Sequence, residues 1–169
     1  MKTLRFDAGR RIGVTSDTHV QHAGIITYCL RPYLSAAEGE LVAAGTPFVV
    51  SPETVERHDA DLIARTNALL GPDDVLLHAG DVAWSPAALR RYRDELRVRE
   101  VYVAVGNHDD DDDLARVFGA DRVFERFRVE VDGPGGLRRD ARAESGIHST
   151  STPGGALAWL EVEVPATAS

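Results

Sequence analysis

Short apolar runs alternate in this chain with longer stretches whose apolar residues recur at helical spacing. Residues 11–16, 74–79 and 101–105 are runs of strand length. Between the first two, Ser51-Pro52-Glu53 supplies an N-cap, a proline suited to the first helical position and an acid at the positive end of the helix dipole. Val55, Leu62, Ile63, Thr66, Leu69 and Leu70 then share one helical face, and Gly71-Pro72 stops the helix. Ser85-Pro86 opens a second helix in the same way, with Leu89, Tyr92 and Leu96 inward and Arg90, Arg91 and Arg93 outward. Strand, helix, strand, helix, strand is the order of right-handed parallel crossovers, so the pattern predicts an α/β fold.

Residues 35–50 interrupt that order. Leu41-Val42-Ala43-Ala44 and Phe48-Val49-Val50 flank Gly45-Thr46-Pro47, which reads as a small hairpin or an irregular loop. After Asp113 a short helix is expected, with Leu114, Val117 and Phe118 inward and Gly119 ending it. Residues 123–131 and 156–164 read as strands. Residues 132–155, rich in Gly, Arg, Ser and Thr, read as a loop.

With 169 residues, 43% hydrophobic and 27% charged, the chain suits one globular domain spanning 1–169. A net charge of −8 argues against general nucleic-acid binding, because no basic excess exists to neutralise phosphates. A phosphorylated substrate stays compatible with it, since bound cations invert the sign of an acidic pocket. Cys29 is the single cysteine, which rules out an intrachain disulfide and a four-cysteine zinc site. The first residues lack the apolar core of a signal peptide, and no apolar stretch approaches the ~18 residues of a membrane span. The expectation is a cytoplasmic protein without membrane association.

Candidate chemistry lies where the three apolar runs end. The first leads into Asp17-Thr18-His19, the second into Gly80-Asp81 and the third into Gly106-Asn107-His108-Asp109. Ligands of open α/β sheets sit beyond the carboxyl ends of the strands, so three parallel strands would bring these residues to one place. Oxygen donors mixed with imidazole suit manganese, iron or zinc better than a calcium or thiolate site.

These blocks resemble the calcineurin-like metallophosphoesterase family, whose pattern is Asp-x-His, Gly-Asp, Gly-Asn-His-(Asp/Glu), a later lone His and Gly-His-x-His. The likeness is closest to small bacterial phosphoesterases in which Ser-Asp-Thr-His is followed by a His and an Arg-Pro. This chain has Ser16-Asp17-Thr18-His19, then His22 and Arg31-Pro32. The resemblance covers roughly residues 11–110, with residues 35–50 as an insertion. It implies a two-sheet α/β sandwich and a divalent cofactor (Mn, Fe, Zn or Ni), with a phosphorylated small molecule or nucleotide as substrate. It also implies that Asp17 and His19 bind a first metal, Asp81 bridges two, and Asn107 binds the second. Two cations ~3.5–4 Å apart would activate a shared water for in-line attack at phosphorus. His108 would protonate the leaving alkoxide, with Asp109 orienting it.

Other residues admit two readings each. His22 faces either the substrate or solvent. Arg31 either clamps a phosphate through its planar fork or forms a surface ion pair. His78, inside a strand, reads as a hydrogen-bonded core residue, and His58 as structural or surface. The acidic run after Asp109 reads as a helix N-terminus rather than a calcium loop.

The pattern departs from the family after about residue 128. No Gly-His-x-His stands in these residues; the nearest match is Ser145-Gly146-Ile147-His148, which would give His148 to the first metal and leave the second with Asp81 and Asn107. One tight and one weak metal site are therefore expected, and the second sheet is open to being incomplete. A phosphoester hydrolase weakened by these losses is the leading reading. The alternative is a non-catalytic family member that binds a metal, a phosphorylated ligand or a partner.

Overall fold

Val75, Leu76, Leu77 and His78 are all buried, as expected of a strand covered on both faces. That strand is central to the fold. The computed structural model describes residues 2–7, 9–131 and, as backbone, 132 and 138–144. The elements run β1 (Lys2–Asp7), β2 (Ile12–Thr15), α1 (Ala23–Tyr28), α2 (Ala36–Ala43), α3 (Pro52–Leu69), β3 (Val75–His78), α4 (Pro86–Glu95), β4 (Glu100–Ala104), α5 (Asp111–Phe118), β5 (Val123–Phe124), β6 (Arg126–Asp132) and β7 (Arg138–Glu144).

The strands form two sheets. One has the order β2-β3-β4-β5, all parallel, with Thr15 opposite His78 and His78 opposite Val103. The other has the order β1-β6-β7, parallel then antiparallel. Alternation along β3 divides the core. Val75 and Leu77 pack toward the second sheet with Leu4, Phe6, Phe127 and Val129. Leu76 packs toward the helices with Ile63, Leu89, Tyr92, Val101 and Leu114. The chain is thus an α/β sandwich, as its motifs implied.

The helix starts expected at Ser51 and Ser85 hold, each serine accepting a bond from the N–H three residues on. Leu89, Tyr92 and Leu96 are buried as expected. Asp110 caps α5, and Gly119 leaves it at φ +97°.

Four expectations need correction. Residues 123–131 form two strands in different sheets, because the chain crosses between layers at Glu125. Part of the expected loop 132–155 is β7, whose backbone pairs with β6 despite its few apolar residues. The segment 35–50 holds a helix, α2, in place of a hairpin or irregular loop. Ser35 and Glu38 cap each other there, and the Glu38 carboxylate also accepts from Ser51 N–H and Thr54 O–H, pinning α2 to the start of α3. The buried face of α3 is centred on Thr54, His58, Asp59 and Ile63, whereas Leu69 is exposed. The expected strand 156–164 lies outside the described residues. No helix among the described residues is long and apolar enough to cross a membrane.

Candidate metal centre

Past their last paired residues, β2 and β3 do not diverge. Their following loops stay locked together by backbone bonds: Asp17 N–H to Gly80 O at 2.9 Å, His19 N–H to Asp81 O at 3.0 Å and Val20 N–H to Val82 O at 3.0 Å. This run places Asp17 and His19 beside Asp81. His19 Nε2 lies 4.0 Å from Asp17 Oδ1 and 3.8 Å from Asp81 Oδ2. One ligand atom from each of the three falls within 4.8 Å of the other two.

The third motif joins through its backbone. His108 N–H donates to Asp81 Oδ1 at 3.0 Å, and the His108 ring lies 5.6 Å from that of His19. Two glycines let the turns meet. Gly80 stands at φ +101°, and a Cβ there would come within 2.7 Å of the Gly106 backbone. A Cβ on Gly106 would fall inside the Asp81 carboxylate. The glycines of Gly-Asp and Gly-Asn-His-Asp are thus required by the contact between the two turns.

The three side chains fit a divalent cation on physical grounds. Asp17, His19 and Asp81 all adopt left-handed backbone, at φ 51°, 46° and 56°. Non-glycine residues pay strain for that conformation, and such strain concentrates at functional sites. His19 is buried, and burial, aided by the Arg31 charge, lowers its pKa to about 4 against the pull of Asp81 and Asp17. At neutral pH its imidazole therefore keeps a free lone pair. Ser16 Oγ and His22 Nδ1, flanking the ligand loop, are buried without a protein hydrogen-bond partner.

Residues expected in other roles turn out to brace the centre. Arg31 is buried, so it is not the surface ion-pair residue of the second reading. Its guanidinium donates to Asp17 O at 2.5 Å, to Thr18 O at 3.2 Å and to His58 Nε2 at 2.5 Å. His58 passes its Nδ1 proton toward Asp59 at 2.8 Å, and Asp59 accepts from Gln21 N–H at 3.0 Å. A buried Asp59–His58–Arg31 chain thereby grips both ends of the ligand loop. Asp109, expected to orient His108, accepts from the backbone N–H groups of Asp81, Val82 and Gly106. Those bonds tie the second and third motifs into one unit. Burial raises the Asp109 pKa despite them.

His22 reaches the site rather than bulk solvent. Its ring lies 5.4 Å from His19 and stacks on Trp84 at 3.8 Å. His108 is exposed at the site's rim, and Asn107 before it in sequence is exposed too. His148 lies outside the described residues. Sequence reasoning passed over Asp59, whose polarity on a helix gives no sign of burial, and Trp84. The signal for Trp84 was its place three residues after Asp81.

His78 behaves as the buried core histidine expected. Gly80 N–H donates to its Nδ1 at 3.2 Å, so the proton resides on Nε2 and is given to Thr18 Oγ1 at 2.9 Å. Thr18 donates onward to Val82 O. Burial pushes the His78 pKa down to about 3. A folded pKa below the ordinary ~6.5 means this contribution to stability is intact above that pH and is lost as pH falls toward 3, by up to about 1.4 kcal/mol per pH unit. Denaturant unfolding between pH 7 and 5, with chelator present, should show that slope. It should be shallower in His78→Asn, which cannot titrate; an unchanged slope would contradict the assignment.

A cavity of about 160 Å³ lined by Leu4, Phe6, Arg10, Glu100 and Tyr102 sits toward the amino ends of the strands, away from these residues. The strand-end rule and the convergent ligands favour the carboxyl side.

Comparison with known proteins points the same way. A family model described as calcineurin-like phosphoesterase matches residues 10–156. An uncharacterized protein of Methanocaldococcus jannaschii is 30% identical over 122 residues, covering 71% of this chain and 52% of that protein. The chain thus spans about half the length of this curated relative. The crystal structure of AQ665, a protein of unknown function from Aquifex aeolicus, aligns with a TM-score of 0.50 at 21% identity. The alignment covers 77% of this chain and 58% of that one, a likeness of fold alone.

Proposed function

The chain belongs to the calcineurin-like phosphoesterase family, and from that premise we propose that it hydrolyses phosphoesters with a divalent cation held by Asp17, His19 and Asp81. The observation carrying this reading is the convergence of those side chains within 4.8 Å on strained, interlocked loops, with His108 beside them. Two carboxylates and a neutral imidazole form a donor set suited to manganese, iron, zinc or nickel. A cation there supplies Lewis acidity toward a phosphoryl oxygen and acidifies water.

The remaining work falls to the chain's own residues. His108, exposed and tethered through its N–H to Asp81, stands where it can pass a proton to the departing oxygen. Asp109 fixes the His108 turn against Asp81 by holding three backbone N–H groups. Arg31 holds the carbonyls of Asp17 and Thr18, so the ligand loop is set before substrate arrives. Asn107 and the shared Asp81 are the described residues available to a second cation, and a neutral amide is a weak donor, so that cation is bound more loosely. Phosphorylated small molecules or nucleotides are the proposed substrates.

A second reading, cation or ligand binding without turnover, draws on the lack of Gly-His-x-His in these 169 residues. Hydrolysis of 4-nitrophenyl phosphate and bis(4-nitrophenyl) phosphate with manganese decides between them. The hydrolase reading expects turnover that disappears with chelator and falls roughly 10²–10⁴-fold in His108→Ala. Turnover absent from all conditions, with manganese still bound, selects the second reading.

A further inference from the structure

Four aromatic rings crowd the candidate centre, and two of them, His108 and Trp84, are exposed. His19 lies 5.4 Å from His22 and 5.6 Å from His108. Trp84 stacks flat on His22, with centroids 3.8 Å apart and planes 8° from parallel, and lies 6.1 Å from His108. Yet Trp84 is 54% exposed. Its backbone is fixed: Trp84 N–H donates to Val20 O at 2.9 Å, next to the parallel bridge between Val20 and Ala83. The indole is thus held in place by backbone and by a histidine on one face, while much of its surface remains in water.

A half-exposed indole fixed on a histidine beside the centre offers an apolar π-face on which an incoming aromatic ring can stack. Core packing does not explain its position, because Val82, two residues earlier, is completely buried while Trp84 is not. The group that occupies this space is constrained by His108. If His108 protonates the leaving oxygen, the leaving group lies on the His108 side of the centre, and Trp84 borders that side.

We infer that Trp84, backed by His22, is a stacking platform for a leaving group that carries an aromatic ring, so that the preferred substrates are phosphoesters of nucleosides or phenols rather than of alcohols without an aromatic ring. The inference rests on the proposed hydrolase reading for the side on which the leaving group lies. Stacking on a ring already immobilised loses little further entropy and tolerates many ring types, because every nucleobase and aryl ring has a π-face. Trp84 thereby sets specificity without taking part in bond breaking.

The test compares a nucleoside monophosphate, phenyl phosphate and glycerol phosphate with manganese present. Dissociation constants come from calorimetry on the whole chain, and KM values from turnover. The aromatic ligands should bind roughly tenfold or more tightly than glycerol phosphate. In Trp84→Ala that preference should collapse toward one, and Trp84→Phe should restore most of it. If only the nucleotide benefits, the platform serves nucleobases; if phenyl phosphate benefits equally, it serves aromatic rings in general. A preference unchanged in Trp84→Ala, or equal losses for all three ligands, overturns the platform while leaving hydrolysis intact. Aromatic preference in binding with no turnover of any substrate overturns the hydrolase reading and retains the platform. Absence of binding by all three overturns the platform.

Discussion

Asp81→Asn is expected to remove manganese binding and, with it, hydrolysis. The substitution keeps the shape of the side chain, and its oxygen can still accept from His108 N–H, the bond Asp81 Oδ1 makes at 3.0 Å. What it removes is one of the two negative charges that face His19. Loss of a supporting residue around a metal ligand costs roughly 10–100-fold, so loss of a direct anionic ligand should exceed that range. Without metal the variant should be at least as stable as the original, because it relieves the like-charge repulsion between two neighbouring carboxylates. The original chain should gain stability with manganese, by about 2.7 kcal/mol at a hundredfold excess over Kd. The variant should gain none. Thermal melts with manganese and with chelator test both statements. A variant that still gains stability from manganese would assign the cation to other residues.

The second large effect belongs to Arg31, which touches no substrate in this account. Arg31→Met keeps the length of the side chain and removes three donated bonds, to Asp17 O, Thr18 O and His58 Nε2. His58 and Asp59 are completely buried and would lose their cationic partner. Removing one member of a buried charged network costs about 3–5 kcal/mol. Arg31→Lys should recover only part of the loss, because an ammonium cannot address two carbonyls and an imidazole in one plane. Freed of this grip, the strained loop at Asp17 and His19 can relax, so manganese affinity should fall alongside stability. Urea unfolding and manganese titration measure the two effects separately. A full-strength manganese site in a destabilised Arg31→Met protein would show that Arg31 supports the fold without shaping the centre.

The parts of this structure legible in the sequence are those whose physics is local. The strands β2, β3 and β4 announce themselves as short apolar runs, and the helix starts at Ser51 and Ser85 by capping chemistry. The acidic and histidine residues at the strand ends are legible for the same reason. The rest depends on partners distant in sequence. The burial of His58 and Asp59 is intelligible only with Arg31 opposite them, so an apolar count rotated the face of α3 toward Leu69. Arg31 read as either a phosphate clamp or a surface ion-pair residue, because nothing near it in sequence shows that two carbonyls of the ligand loop receive it. The strand β7 carries few apolar residues and is defined by its backbone pairing to β6. In α2 a signal was present and passed over: Ser35 and Glu38 have capping-box spacing, which outweighs the weak apolar pattern around Gly45. Trp84 was equally visible but unremarkable until the fold placed it beside His22 and His108.

The central claim is that Asp17, His19 and Asp81 hold a divalent cation at the carboxyl ends of β2 and β3. Crystals of the protein grown with manganese, with diffraction recorded on both sides of the manganese absorption edge, test it directly. An anomalous peak is expected within bonding distance of all three side chains, and any second peak, near Asp81 and Asn107, at lower occupancy. A single manganese peak bound elsewhere, with these three side chains left uncoordinated, would contradict it.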